Sequence, residues 1–398
     1  MTSRTAWARL GLLWLGGADL RVTLLAVPPL LPAIHRSLHL DERTVGILSG
    51  LPLLLLAAAA VPGSLLIARI GARRAIVAGL TAVAVAGALR GARPSVALLL
   101  GATVVMGVGI ALCQPSLPSL VRQWFPTRSA QATAAFSNGL LVGEITGASL
   151  TLPIVVGLVG GWQRALAFWS LPVAAGAVAI LAVTRHQARD RDLPRARWWP
   201  DWTDGVTWRL GLILGCASVS YFATNAFLPD YLRAHRQVGL VPLALASVNV
   251  CQLPASALVA ALPGRLVSRR WPLVGAGLAI LTSALGVIFL GGGGLVVLWV
   301  GLVGLASALV FVLALALPPI LAGPNDVHRL SAAMFTISYA CAFAGPLAGG
   351  AIWDATRIPA TAFVPVLGGG ALVTLVAAGL RLPPAAGGRA AGGTRTGS

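Results

Sequence analysis

Residues 10–34 read LGLLWLGGADLRVTLLAVPPLLPAI, with Asp19 and Arg21 as the only charged residues in the run. At 1.5 Å of rise per residue a helix of this length reaches about 37 Å. That is enough to cross a hydrocarbon layer about 30 Å thick. A soluble core helix would show a polar face every 3.6 residues, and this run shows none. A secretory leader also starts with basic residues before an apolar stretch, and Arg4 and Arg9 precede this one. The apolar run continues well past a leader's usual core, so it reads as a retained spanning helix.

The same kind of block recurs along the chain. Spans are predicted at 10–34, 45–67, 75–92, 96–120, 131–157, 162–183, 209–232, 239–262, 272–290, 294–321, 330–352 and 360–380. The blocks are too long and too continuous for the short alternating strands of a membrane barrel. Composition agrees: 57% of the 398 residues are hydrophobic and 10% are charged, against about 25% charged in soluble domains. The predicted fold class is an all-α membrane protein of twelve transmembrane helices in two six-helix bundles. The N-terminal bundle is placed at 1–183 and the C-terminal bundle at 209–382. A central loop at 184–208, rich in Arg, Asp, Trp and Pro, divides them, and a Gly-, Ala- and Arg-rich tail at 383–398 is expected to be disordered.

The net charge of +18 comes from 29 Arg and no Lys. A nucleic-acid surface would gather them into a stripe, whereas here they are scattered among short loops, so no nucleic-acid partner is expected. Placing the N-terminus in the cytoplasm puts 20 Arg on that side and 8 on the other, Arg90 among the 8, with Arg21 inside a span. This is the basic bias of cytoplasmic loops, and it predicts a multi-pass protein of the cytoplasmic membrane with both termini inside. The four Cys lie within apolar blocks, in no metal-ligand spacing, and the five His sit near span ends. Gly291–Gly294 lacks the Lys-Ser/Thr of a phosphate loop. No enzyme, metal site or cofactor is expected. The expected partners are membrane lipid and a small-molecule solute, and the chain is expected to act as a monomer.

Ionisable residues within spans are costly and therefore informative. Arg21 keeps its proton and must meet an anion. A solute, a permanent helix-tying carboxylate, and a lipid-facing position all remain open for it. Glu144, in the middle of the fifth span, reads either as a static partner of Arg21 or as a proton carrier. Asp19 lies two residues from Arg21, so the two point to opposite sides of the helix. Asp19 is the second proton-coupling candidate. Polar stripes add candidate solute contacts. Ser218, Tyr221 and Asn225 repeat at i, i+3, i+7, as do Asn249, Gln252 and Ser256; Thr336 and Tyr339 repeat at i, i+3. Gln114 and Asn138 stand alone. Each could be helix-to-helix glue, worth ~0.6 kcal/mol on average, but together they suggest a central cavity. Gly143-x-x-x-Gly147 and Gly345-x-x-x-Gly349, about 200 residues apart, suggest an internal repeat.

After the second span stands Ser64-Leu-Leu-Ile-Ala68-Arg69-Ile-Gly71-Ala-Arg73-Arg74. It resembles the Gly-x-x-x-Asp-Arg-x-Gly-x-Arg-Arg run of the major facilitator superfamily, with Ser64 for the Gly and Ala68 for the Asp. The resemblance implies a major facilitator fold and a gating loop at Arg69, Gly71, Arg73 and Arg74, without a charge latch on the missing Asp. It also implies that the first and fifth helices are neighbours, so that Arg21 and Glu144 can meet. Asp19-Leu-Arg21-Val22 through Pro28-Pro29-Leu30-Leu31 is similar to the Asn-Leu-Arg-Pro stretch of the cyanate/nitroimidazole (CynX/NimT) porter group. Phe125-Pro126, Gly161-Trp162-x-Arg164-Ala165-Leu166 and Leu228-Pro229 fit that group as well. The implied activity is secondary active transport of a small polar or anionic solute by alternating access, with proton coupling open. Export of drug-like compounds and, from a different class, a membrane sensor are the competing readings.

Reporter fusions test the orientation. Fusions after residue 200 and at the C-terminus are expected to report cytoplasm, and a periplasmic signal from either contradicts twelve spans with the N-terminus inside.

Overall fold

A computed structural model describes residues 3–40, 42–184, 197–323, 325–380 and 382. The tail at 383–398 and much of the central loop, with Arg185, Arg189, Arg191 and Arg195, lie outside the described residues. Among the described residues twelve helices are long and apolar enough to cross a membrane, and there is no strand. They are α1 (Thr5–Leu38), α2 (Gly50–Ile70), α3 (Ala72–Arg90), α4 (Val96–Trp124), α5 (Ser129–Val159), α6 (Trp162–Val183), α7 (Gly205–Ala234), α8 (Val238–Ala261), α9 (Trp271–Leu290), α10 (Leu295–Leu321), α11 (Val327–Thr356) and α12 (Pro359–Ala378). All twelve predicted spans are present. Large apolar side chains such as Leu158, Phe289 and Leu375 are more than 70% exposed on the outer face. Such a surface suits lipid, not water.

Local chemistry accounts for the ends and breaks. α7 begins four residues earlier than hydropathy predicts because Asp204 caps it, accepting from the Val206 N–H at 3.0 Å. α1 loses regular helix at Ala26–Val27, before Pro28 and Pro29, where proline removes backbone donors. The guanidinium of Arg90 donates to the carbonyl of Thr23 at 3.3 Å, which places a cation at the end of the first part of α1. Arg90 is thus 1% exposed. It is not one of the loop arginines among which its position at a span end had placed it. α8 breaks at Cys251–Gln252, just before Pro254, and α5 widens into a single π turn at Thr151–Val155, around Pro153.

Packing repeats between the halves. α1 lies on α5 and α6, as α7 lies on α11 and α12. α2 packs on α4 as α8 packs on α10, and α3 packs on α4 and α6 as α9 packs on α10 and α12. Adding six to each helix number of the first bundle gives the packing of the second. The contacts between bundles obey the same rule: α2 meets α11, and α8 meets α5. This is the arrangement of two six-helix bundles about a pseudo-two-fold axis.

Within the first bundle α1 packs extensively on α5. Gly139, Gly143 and Gly147 form a stripe on α5 that rests on the α1 backbone. A Cβ at Gly143 would overlap the carbonyl oxygen of Ala18, and one at Gly147 would stand 2.7 Å from the carbonyl oxygen of Val22. Small residues at this spacing let backbones touch where lipid supplies no hydrophobic drive.

At the end of the molecule carrying the central loop, α2 turns into α3 through the single residue Gly71, whose φ of 83° suits glycine. Arg69 and Arg74 are exposed there and Arg73 partly so. The buried Ser64 hydroxyl donates to the carbonyl of Trp198 at 2.7 Å, and Nε of Arg329 on α11 donates to the carbonyl of Trp199 at 2.8 Å. The central-loop backbone therefore bonds to both bundles, on α2 one helical turn from Ala68.

Gly143→Leu is expected to cost at least about 1–3 kcal/mol from overpacking, lowering the yield and melting temperature of purified protein. Gly101→Ala, where an added Cβ meets nothing within 4 Å, is the control and should leave both unchanged. Equal behaviour of the two variants contradicts the close approach of α1 and α5.

Candidate functional site

The glycine stripe brings α5 against α1 at the level where each carries its one charge facing the other bundle. Nη1 of Arg21 stands 4.0 Å from Oε2 of Glu144. Both are deeply buried, at 5% and 4% exposure. At 4.0 Å the two attract without forming a tight hydrogen bond. Nε and Nη1 of Arg21 and Oε1 of Glu144 have no hydrogen-bond partner within the protein.

The second bundle meets this pair from the other side. Tyr339 on α11 accepts from Nη2 of Arg21 at 3.4 Å and from Nε2 of Gln114 on α4 at 2.5 Å. One hydroxyl thus joins α1, α4 and α11. Tyr221 on α7 donates to Oδ1 of Asn249 on α8 at 2.7 Å, and Nδ2 of Asn249 donates to Oδ1 of Asn225 at 3.1 Å. Gln252, at the α8 break, donates to the carbonyl of Asn249 at 3.4 Å. A broken helix can present both side chain and backbone to a solute at mid-membrane depth.

Between these groups lies a cavity of about 30 Å³, bounded by Arg21 and Glu144 of one bundle and Tyr221, Phe222, Gln252, Ser307 and Phe311 of the other. That is room for one or two waters. The side chains of α1, α5, α7, α8 and α10 converge on it, while Gln114 of α4 reaches it through Tyr339.

Of the solute contacts expected from sequence, Arg21, Gln114, Tyr221, Asn225, Asn249, Gln252 and Tyr339 fall into this one connected group. Asn138 does not. It accepts from Nε1 of Trp14 at 2.9 Å and donates to Ser256 on α8 at 2.8 Å. It lines a separate cleft of about 610 Å³ among α1, α5 and α8. Six residues along a helix is about 9 Å and ~240° of rotation, so Asn138 and Glu144 share neither depth nor face. Asp19 turns to the opposite side of α1 from Arg21, packs against Gly176 of α6, and is 2% exposed with Oδ2 unpaired. Ser218 pairs with Ser338 on α11 at 2.7 Å, as helix-to-helix glue. For the gating-loop residues Arg69, Arg73 and Arg74, no ion pair is found among the described residues.

The lining residues that were not anticipated include two aromatics and a serine, Phe222, Phe311 and Ser307. Phe222 and Phe311 look like ordinary lipid-facing or core aromatics in an apolar run. Ser307 had a signal, being the one hydroxyl side chain in the block Leu295–Leu321.

Comparison with known proteins agrees with this geometry. The Major Facilitator Superfamily profile matches residues 13–346. The Uncharacterized transporter YycB of Bacillus subtilis (strain 168) is 23% identical over 88% of this chain and 87% of that protein. The Cyanate transport protein CynX and the 2-nitroimidazole transporter, both of Escherichia coli (strain K12), are 29% and 31% identical over 54% of this chain. Those alignments span just over half of each relative, 56% and 55%. The crystal structure of the human organic anion transporter MFSD10 (TETRAN) superposes with a TM-score of 0.73 at 14% identity, covering 94% of this chain and 98% of that one. At that identity the likeness concerns the fold alone. With the family profile covering most of the chain and twelve spans enclosing a polar cavity, the protein is a secondary transporter, not an enzyme, and it belongs to the Major Facilitator Superfamily.

Proposed function

We propose that the chain moves a small polar or anionic solute across the cytoplasmic membrane by alternating access, binding it at Arg21. In this reading both termini and the loop at 184–208 are cytoplasmic. The bundles at 1–183 and 209–382 rock against each other as units, and the protein works as a monomer. The observation that carries the reading is the buried Arg21–Glu144 pair, held at 4.0 Å where the bundles meet. A pair kept only for stability would gain from a shorter, fully bonded geometry. This one leaves two guanidinium nitrogens and a carboxylate oxygen free for another molecule.

Cyanate, small carboxylates and nitroaromatics are the solutes to screen, since the two named relatives carry cyanate and 2-nitroimidazole. The rings of Phe222 and Phe311 at the cavity favour a second reading, export of small aromatic compounds. The narrow volume and the buried charges favour the first.

Truncating one partner of a buried, hydrogen-bonded charge pair costs about 2–5 kcal/mol. Arg21→Gln is therefore expected to reduce uptake into proteoliposomes at least ~30-fold, normalised to folded protein. If the pair were only a structural tie, Arg21→Gln and Glu144→Gln would each lower the amount of folded protein, and the double variant would restore both protein and transport. That restoration of transport contradicts solute binding at Arg21.

A further inference from the structure

Resting on that reading, we infer that the cavity takes only a load of zero net charge: a solute bound between Arg21 and Ser307, accompanied by one proton on Glu144 whenever the solute is a monovalent anion.

The first support is the charge count around the cavity. The helix of Glu144 is packed by α1, α4, α8 and α10, side chains of α7 line the cavity with Glu144, and Tyr339 of α11 reaches Arg21. α1 brings Arg21, whose other near charge, Asp19, faces α6 on the far side of the helix. α7 brings the hydroxyl of Tyr221, and α11 that of Tyr339, which reaches Arg21 and Gln114. α8 and α10 carry no charged residue anywhere in their length, and α4 carries only Arg122, near one end, besides the buried thiol of Cys113 at mid-length. One cation and one anion therefore balance each other at the cavity. With room for one or two waters, little solvent is present to offset an added charge, and an unbalanced charge in such surroundings is expensive. A neutral solute keeps the balance. An anion keeps it only if a proton enters too, and Oε1 of Glu144, buried and unbonded, is the acceptor in place to receive it. Proton and anion come from water on one side and leave to water on the other, so each cycle moves no net charge.

The second support is Ser307. It lies on α10, lines the cavity, is 2% exposed, and its buried hydroxyl oxygen is bonded to nothing in the protein. Serine in a helix commonly bonds back to its own backbone, and this one does not. A buried hydroxyl without a partner is costly, and a solute acceptor held between it and the free nitrogens of Arg21 would satisfy both. Arg21 belongs to the first bundle and Ser307 to the second, so such a solute bridges the two.

The test uses full-length protein in proteoliposomes with a trapped pH dye, and with the membrane potential set by potassium and valinomycin. The solute is whichever of cyanate, acetate and 2-nitroimidazole the protein moves. For an anion, one proton should enter per solute, a pH gradient should drive uptake, and a potential at equal pH should not. For neutral 2-nitroimidazole, neither gradient should drive uptake. Ser307→Ala should raise KM about tenfold and keep the proton count at one per anion. Potential-driven uptake at fixed pH, a proton count other than one for an anion, or an unchanged KM in Ser307→Ala overturns the inference while leaving transport itself standing. Absence of uptake for every solute overturns the transport reading and this inference with it.

Discussion

A guanidinium and a carboxylate held apart from water at mid-membrane impose the main constraint on this fold. Neither Arg21 nor Glu144 can sit alone in an apolar bundle, and neither can reach bulk water from the middle of its helix. They are tolerable only near each other. That requires α1 and α5 to lie almost in backbone contact, which is what the stripe Gly139, Gly143 and Gly147 permits. The same contact turns Asp19 to the other side of α1, against α6, so the two adjacent charges of one helix serve different surroundings.

The second bundle completes the site without bringing another charge to it. Its contribution is hydroxyls and amides: Tyr339 on Arg21, the Tyr221–Asn249–Asn225 series, Gln252 at a helix break, and Ser307. Hydrogen bonds between neutral groups in a membrane are individually weak and can exchange partners, which suits the half of the site that must separate during the cycle. At the end carrying the central loop, the bundles are joined through carbonyls of Trp198 and Trp199. Ser64 stands where the family has glycine and uses its hydroxyl there.

Much of this was legible in the chain itself. Apolar blocks long enough to cross a bilayer leave little alternative to twelve spans, and a charge inside such a block marks itself, as Arg21 and Glu144 did. Helical periodicity found Tyr221 with Asn225 and Asn249 with Gln252, because it reports which face a residue occupies. It does not report which cavity a lone polar residue opens onto, and Asn138 lines a different one from Glu144. Arg90 at a span end looked like a loop residue. Its role depends on the Thr23 carbonyl, near the break in a different helix, which no local pattern reveals. The bonds from Ser64 and Arg329 to the central loop were equally hidden, since a backbone acceptor has no signature in sequence.

The most direct measurement is a structure of the protein with a transported solute bound. The account places the solute at the meeting of the bundles, with an acceptor atom within about 3.2 Å of a guanidinium nitrogen of Arg21 and contacts from both α1 and α10. A solute seated instead in the cleft lined by Trp14, Asn138 and Ser256, with Arg21 and Glu144 unchanged at 4.0 Å, would contradict it.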